Sequence, residues 1–131
     1  MKKIIACLLA MLGLNTAWGQ QLFDDTDAEG FAQLIADSTV VVLDVRTDNE
    51  YAEGHIKGAI NIDFKKKDFI AKAKAALPTD KTIASSCRSG RRSAGAANLL
   101  ANEGYKLVNL KGGIIAWTEA KKPIVIPTDE K

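Results

Sequence analysis

Short β-branched segments alternate along this chain with segments that carry helical signals, and this alternation constrains the fold more than any other feature. The apolar segment Val40–Val45 lacks a polar face, which is typical of a central parallel strand buried on both sides. Four segments are predicted as strands: Val40–Val45, Ala59–Ile62, Lys81–Ser85 and Lys106–Leu110. The predicted helices are Asp27–Ala36, a turn at Asn49–Ala52, Asp68–Leu77, Ser93–Asn102 and a last helix that follows Gly112-Gly113 and runs through Trp117. This order predicts an α/β domain with a mainly parallel sheet flanked by helices.

Local signals set two of the expected boundaries. Thr26 with Glu29 has the spacing of a capping box, which predicts that the first helix begins after Thr26. The tail from Lys121 onward contains Pro123 and Pro127 and is expected to be irregular.

The first residues have the pattern of a secretory signal peptide. A basic start, Met1-Lys2-Lys3, precedes an apolar run at 4–14 and the small-residue exit Ala17-Trp18-Gly19. We therefore expect residues 1–19 to be removed and 20–131 to form one domain with its core at about 26–120. The alternative is a buried N-terminal strand or helix. The apolar run is too short to span a bilayer, so an exported protein without a membrane anchor is expected, periplasmic in a Gram-negative bacterium.

Removal of residues 1–19 changes both the charge and the cysteine content. The chain has 18 basic and 16 acidic residues, and two of the basic ones lie at positions 2 and 3, so the mature protein has 16 of each. This balance gives no reason to expect nucleic-acid binding. Lys65-Lys66-Lys67 is expected to be a solvated surface, with an acidic partner unsupported by the sequence. Cys87 becomes the only cysteine, and with one histidine in the chain we expect neither a metal site nor a cofactor.

Cys87 opens the loop Cys87-Arg88-Ser89-Gly90-Arg91-Arg92-Ser93, which lies between a predicted strand and a predicted helix. Gly90 permits a backbone turn that points several N–H groups inward, and the start of the helix adds further donors. Arg88, Arg91 and Arg92 are expected to add positive charge. Such surroundings favour the thiolate over the thiol and attract an anion. The loop therefore predicts a nucleophile for an anionic substrate. The alternative is that Cys87 is a small buried hydrophobic residue.

Several motifs together resemble those of single-domain rhodaneses, the thiosulfate sulfurtransferases, and in particular an exported bacterial member. They are Leu43-Asp44-Val45-Arg46, Glu50-Tyr51-Ala52-Glu53-Gly54-His55-Ile56, Gly58-Ala59-Ile60-Asn61-Ile62, the Cys87 loop, and Leu110-Lys111-Gly112-Gly113-Ile114 with Trp117. The resemblance implies a parallel sheet of about five strands with helices on both faces. It also implies that Cys87 takes the outer sulfur of thiosulfate as a persulfide and passes it to cyanide or another thiophilic acceptor.

The resemblance also implies roles for individual residues. Cys87 would be the catalytic nucleophile. The N–H groups of the six residues that follow would cradle the persulfide, and the arginine side chains among them would attract thiosulfate: Arg88, Ser89, Gly90, Arg91, Arg92 and Ser93. Which arginine points inward is left open. Four residues are expected to support the structure: Asp44, Arg46, Glu50 and His55. Asp44 and Arg46 are predicted to be a polar pair at a strand end that ties loops together, and Arg46 is also a candidate partner of Glu50. Departures from the family are Ser86, where an aromatic residue is frequent, and Lys57, where proline is frequent.

Three other functions are compatible with a reactive cysteine on this fold. A rhodanese-fold phosphatase would need five residues between the cysteine and an arginine, whereas Arg92 leaves four and the required position is Ser93. A sulfur carrier that delivers a persulfide without turnover remains open, because the same persulfide serves both functions. A thiol-redox protein is disfavoured by the lack of a second, resolving cysteine. Nothing in the sequence demands more than a monomer.

Overall fold

A parallel sheet of five strands forms the centre of the domain. The computed structural model describes residues 21–127, so the predicted signal peptide at 1–19 lies outside the described residues. Within 21–127 the strands lie in the order β1-β5-β4-β2-β3, and all four neighbouring pairs are parallel. The strands are β1 Asp24–Thr26, β2 Val41–Asp44, β3 Ile60–Asn61, β4 Thr82–Ser86 and β5 Lys106–Leu110.

Five helices in the same residues connect the strands and cover the sheet. They are α1 Ala28–Ile35, α2 Asp48–Glu53, α3 Phe69–Ala76, α4 Arg91–Asn102 and α5 Gly113–Glu119. One apolar cluster includes buried residues of α3 and α4, and a second includes buried residues of α1 and α5. Successive residues of the central strands, such as Ile83 and Ala84, belong to opposite clusters, as side chains on the two faces of a strand must. The predicted α/β architecture with helices on both faces is therefore confirmed.

The order of the strands reverses between β2 and β4, and this reversal places the candidate site. The chain leaves β2 toward the edge strand β3, whereas from β4 it continues in the other direction to β5. Parallel strands that diverge in this way leave a crevice beyond their carboxyl ends, where ligands bind in open α/β sheets. The residues that follow β2 and β4 are Val45 and Cys87, so the predicted nucleophile lies at this crevice.

The first strand and helix differ from the sequence prediction. Thr26 belongs to strand β1, which the sequence did not predict, and it does not cap the helix. Asp27 is the N-cap of α1, and its side chain accepts a hydrogen bond from the Gly30 N–H at 2.8 Å. The predicted capping box of Thr26 with Glu29 is therefore wrong, because the backbone of Thr26 pairs with Leu110 on β5.

The remaining boundaries follow the prediction with two exceptions. Helix α4 begins at Arg91, two residues before the expected Ser93, so two arginines lie in its first turn. The tail, expected to be irregular, contains a short antiparallel bridge in which Val125 exchanges two backbone hydrogen bonds with His55. Within residues 21–127 no helix has the length and apolar character needed to cross a membrane.

Candidate functional site

The Cys87 thiol lies at the centre of the loop between β4 and α4. Gly90 ends the loop as the N-cap of α4, with a φ of +94° that places it in the left-handed region favoured by glycine. Its N–H donates to Cys87 Sγ at 3.0 Å, and the Ser93 hydroxyl lies 3.5 Å from the same sulfur. Cys87 itself is fully buried. The loop thus closes around the sulfur and presents hydrogen-bond donors to it.

Two opposing effects set the pKa of the thiol. Burial disfavours the charged form and by itself would raise the pKa. The Ser93 hydroxyl and the backbone N–H groups of Ser93, Gly90 and Ser89 donate to the sulfur, and together they outweigh the burial. The pKa of Cys87 therefore lies below its ordinary value of 9.0. A larger fraction of this thiol is thus the nucleophilic thiolate than in a free cysteine.

The start of helix α5 fixes the backbone of the loop from behind. The N–H groups of Ile114 and Ile115 donate to the carbonyl oxygens of Cys87 and Arg88 at 2.9 and 3.1 Å. Gly113 makes this approach possible, because a Cβ there would collide with the carbonyl of Arg88. With these carbonyls bonded to α5, N–H groups of the loop are left to face the sulfur.

Asn109 supports the loop from the side, although it was not among the residues predicted for the site. It is 2% exposed and lies at the end of β5. Its Nδ2 donates to the Gly90 carbonyl at 3.4 Å and to Asp25 Oδ1 at 3.1 Å, and its Oδ1 accepts from the Ser85 hydroxyl at 3.3 Å. A polar residue at a buried strand position was the available signal, because a buried amide requires hydrogen-bond partners.

Arg92 is paired with a carboxylate and so answers part of the open question about the three arginines. Its Nη1 and Nη2 donate to Glu50 Oε1 and Oε2 at 2.8 and 3.0 Å. This bidentate hydrogen bond is the main reason that the pKa of Glu50 falls to about 2, although partial burial opposes the change. Glu50 also accepts from the Thr47 N–H in a capping box of α2, so this short helix is tied to the loop.

The predicted pair of Arg46 with Glu50 is wrong. Arg46 instead binds Asp44, with Nε and Nη2 donating to the two carboxylate oxygens at 3.0 and 2.7 Å. Its Nη2 also donates to the Gly54 carbonyl at 2.7 Å. Asp44 and Arg46 are 1% and 6% exposed, so they form a buried ion pair at the end of β2, and the predicted polar pair of these two residues is confirmed.

The other residues predicted for the site lie at its surface or away from the sulfur. Arg88, Ser89 and Arg91 are exposed, and neither arginine forms an ion pair within residues 21–127. His55 is buried, stacks on the Tyr51 ring at 3.7 Å and places Nδ1 3.1 Å from the Tyr51 carbonyl. These contacts, with the backbone pairing to Val125, connect α2 to the C-terminal segment.

Two observations concern the rest of the site. Ser86, directly before Cys87, is 1% exposed, and its hydroxyl makes no hydrogen bond within the described part of the chain. Among residues 21–127, no group of three or more histidine, cysteine, aspartate or glutamate side chains is placed to hold a metal ion.

Comparison with known proteins gives a consistent result. Residues 27–120 match the family described as the Rhodanese-like domain. A "Sulfurtransferase" of Allochromatium vinosum is 36% identical over 108 residues, which cover 81% of this chain and 98% of that protein. A rhodanese-related protein of Thermoplasma volcanium has a structure that matches with a TM-score of 0.72 and 34% identity over 79% of this chain and 99% of that one. The predicted rhodanese-like fold is thereby confirmed.

The same domain also occurs within longer relatives. A "tRNA uridine(34) hydroxylase" of Acinetobacter baumannii is 37% identical over 101 residues, which cover 74% of this chain but 32% of that protein. Membership of the family therefore leaves the substrates to be argued from the site itself.

Proposed function

This chain belongs to the Rhodanese-like domain family, and on that premise we propose that it is a thiosulfate sulfurtransferase that acts through a persulfide on Cys87. The observation that carries the proposal is the convergence of the Gly90 N–H and the Ser93 hydroxyl on Cys87 Sγ. These donors lower the pKa of the thiol without the help of a second protein nucleophile or base. The match to a sulfurtransferase over nearly that protein's full length supports the same reaction class.

The reaction needs no proton transfer if Cys87 begins as a thiolate. Its sulfur attacks the outer sulfur of thiosulfate, a new S–S bond forms, and the bond to the sulfonate sulfur breaks. Sulfite leaves with the bonding electron pair, and Cys87 becomes a persulfide anion. A thiophilic acceptor such as cyanide then attacks the outer sulfur and becomes thiocyanate, while Cys87 leaves as the original thiolate.

The loop has separate groups for the sulfur and for the sulfonate. We assign the N–H donors of Ser89, Gly90 and Ser93 to the negative charge on the sulfur. We assign attraction of the thiosulfate dianion to Arg88 and Arg91, which are exposed and form no ion pair within residues 21–127. Arg92 has its charge compensated by Glu50 and is expected to hold the loop rather than the substrate.

The first experiment is intact-mass spectrometry of the purified protein before and after incubation with thiosulfate, and again after addition of cyanide. We expect a gain of one sulfur atom that disappears with cyanide and does not occur in the Cys87→Ser variant. No gain in mass while Cys87 still reacts with an alkylating agent would refute thiosulfate as the donor.

Steady-state rates of thiocyanate formation then distinguish a sulfurtransferase from a sulfur carrier. Rapid repeated formation of thiocyanate supports an enzyme, whereas loading followed by negligible transfer to cyanide would support a sulfur carrier.

Hydrolysis of an aryl phosphate that depends on Cys87 would instead support a phosphatase. The pairing of Arg92 with Glu50 disfavours that activity, because it occupies a guanidinium that a phosphoryl group would need.

We further propose that residues 1–19 direct export and that the mature protein is a monomer without a membrane anchor. N-terminal sequencing of the protein from a periplasmic extract should begin near Gln20. Recovery of the full-length chain in the cytosolic fraction would refute export, and a dimer mass in light scattering would refute the monomer.

A further inference from the structure

A group of exposed positive charges lies on the segments that follow β3 and β4, at the carboxyl ends of these parallel strands. We call this group the basic strip; its members are Lys65, Lys66, Lys67, Arg88 and Arg91. All five are exposed, and none forms an ion pair within residues 21–127. Three other lysines of the domain are paired: Lys72 with Asp68, Lys74 with Glu103 and Lys122 with Glu29.

The loop after β3 brings the three lysines to the site. The Phe64 N–H donates to the Val45 carbonyl at 3.1 Å, which fixes the loop at the carboxyl end of β2. The Phe64 ring packs on Gly95 of α4, where a Cβ would lie 3.1 Å from the ring. Gly95 and Arg91 are four residues apart and share one face of α4, so Lys65–Lys67 follow Phe64 next to the first turn of that helix.

Three carboxylates lie near the strip, but none of them forms an ion pair with it within residues 21–127. Asp63 and Asp68 flank the three lysines in the sequence. Asp63 accepts a hydrogen bond from the Lys65 N–H at 2.9 Å and attracts Arg92, and Asp68 pairs with Lys72 at 3.6 Å. Asp48 is a further exposed carboxylate at this end of the sheet, at the start of α2. Because the predicted mature chain has 16 acidic and 16 basic residues, the excess is local rather than a property of the whole protein.

We propose that the basic strip docks an acidic protein segment that carries the thiol to which Cys87 delivers its sulfur. This inference rests on the proposed sulfurtransferase function and specifies its acceptor. The acceptor thiolate attacks the outer sulfur of the Cys87 persulfide, a new S–S bond forms on the acceptor, and Cys87 leaves as a thiolate. The acceptor becomes a persulfide, and the transfer requires no oxidant or reductant.

Two features favour a protein over a nucleic acid as the partner. Ile115, whose N–H donates to the Arg88 carbonyl, is 39% exposed and adds an apolar side chain beside the strip. Protein interfaces combine arginine with apolar contacts in this way. Asp48 and Asp63 would repel the phosphates of a nucleic acid. In contrast, they can form ion pairs with lysines of a protein partner that also has acidic residues.

The test uses three synthetic peptides that each contain one cysteine flanked by glutamates, serines or lysines. The protein is first loaded with thiosulfate, its persulfide is confirmed by mass, and sulfur transfer to each peptide is then timed. We expect the acidic peptide to react at least about tenfold faster than the basic one at low ionic strength. High salt should largely remove the difference, because it screens exposed charges.

The key variant is Lys65→Glu/Lys67→Glu, and the matched control is Lys81→Glu/Lys106→Glu. The control lysines are exposed and lie at the amino ends of β4 and β5, whereas Cys87 lies at the carboxyl end of β4. We expect the key variant to load sulfur normally but to lose the preference for the acidic peptide, whereas the control keeps it. Equal rates for the acidic and basic peptides in the unchanged protein would refute the proposal.

A binding measurement keeps this inference independent of the sulfur chemistry. Labelled peptides with serine in place of cysteine are titrated with the protein and followed by fluorescence anisotropy. We expect the acidic peptide to bind about tenfold more tightly to the unchanged protein than to the Lys65→Glu/Lys67→Glu variant. If a single-stranded RNA oligonucleotide binds more tightly than this peptide and loses affinity in the same variant, the strip is a nucleic-acid site and the proposal is wrong. Failure of thiosulfate loading would refute the proposed function. This titration would still show whether the basic strip binds an acidic peptide.

Discussion

Replacement of Ser93 by alanine tests whether hydrogen bonds to Cys87 Sγ make it reactive. Four donors lower the pKa of the thiol: the Ser93 hydroxyl, and the backbone N–H groups of Ser93, Gly90 and Ser89. The substitution removes the hydroxyl alone. Ser89→Ala is a matched control, because the Ser89 side chain is exposed and only its backbone N–H contributes.

The expected magnitude follows from the geometry of this contact. A hydrogen bond to a charged group contributes about 1.5–3 kcal/mol, and the 3.5 Å separation of Ser93 Oγ from the sulfur places it at the lower end. About 1.4 kcal/mol corresponds to a factor of about ten in the ratio of thiolate to thiol. The backbone donors remain, so the pKa of Cys87 in the variant should rise only partway toward that of an ordinary cysteine.

Alkylation by iodoacetamide, followed across a wide range of pH, measures this ratio with an uncharged reagent. At pH values below the pKa, we expect Ser93→Ala to react about tenfold more slowly than the unchanged protein. At alkaline pH the two rates should converge. A pH profile that is unchanged in a folded Ser93→Ala protein, or one that shifts equally in Ser89→Ala, would refute the assignment of the effect to the Ser93 hydroxyl.

Four further predictions concern the groups around the loop. Glu50→Gln should lower the free energy of unfolding in urea by about 1 kcal/mol at neutral pH. The shift of the Glu50 pKa from 4.5 to about 2 sets an upper limit of about 3 kcal/mol, and the partial exposure of this carboxylate makes the expected effect smaller than that limit. Because the folded-state pKa of this carboxyl is depressed, the difference in unfolding free energy between Glu50→Gln and the unchanged protein should be complete above pH 4.5 and vanish as the pH falls to about 2. A difference that stays constant with pH would contradict the ion pair. Asn109→Leu should shift the alkylation profile of the thiol to higher pH, since it removes a support of the Gly90 peptide; a loss of stability with an unchanged profile would indicate a purely structural role. Gly113→Ala should destabilise the fold by about 2 kcal/mol in the same urea assay and slow persulfide formation, because its φ is +62° and its Cβ would meet the loop backbone; normal loading kinetics would contradict this. Replacing both Arg88 and Arg91 by glutamine should raise the KM for thiosulfate while leaving the alkylation profile unchanged; an unchanged KM would remove these side chains from substrate capture.

The central strands were predictable because burial on both faces leaves a clear apolar signal. Val41–Asp44 and Thr82–Ser86 lie in the middle of the sheet, and their segments stand out in the sequence. Strand β1 gives no such signal, since Asp24 and Asp25 are exposed and the strand is held at the edge by backbone pairing with β5. A polar edge strand of three residues is specified by its neighbour rather than by its own sequence.

The position of the nucleophile and the Asp44–Arg46 pair were predictable, whereas the partner of Glu50 was not. Residues four apart, such as Arg46 and Glu50, face each other when both belong to one helix, but α2 begins at Asp48 and Arg46 lies outside it. The Thr47 N–H binds Glu50 Oε1 in the capping box, and the carboxylate reaches Arg92, 42 residues away in the chain. A contact between residues so distant requires the folded sheet to bring α2 and α4 together.

The structure also changes the explanation of why a lone thiol is followed by three arginines. Arginine charge was expected to help ionise Cys87, yet the groups that lower its pKa are mainly N–H donors and the Ser93 hydroxyl, and of the three arginines Arg92 is the one with a resolved attraction to this sulfur. Arg92 is compensated by Glu50, and Arg88 and Arg91 are exposed toward solvent. Fixed dipoles, with Arg92 behind them, therefore hold the charge on the sulfur, which leaves the exposed Arg88 and Arg91 available for anions that arrive from solvent. On this view, activation of the thiol and capture of its substrates are separable by mutation, which a single cluster of charges acting on the sulfur would not allow.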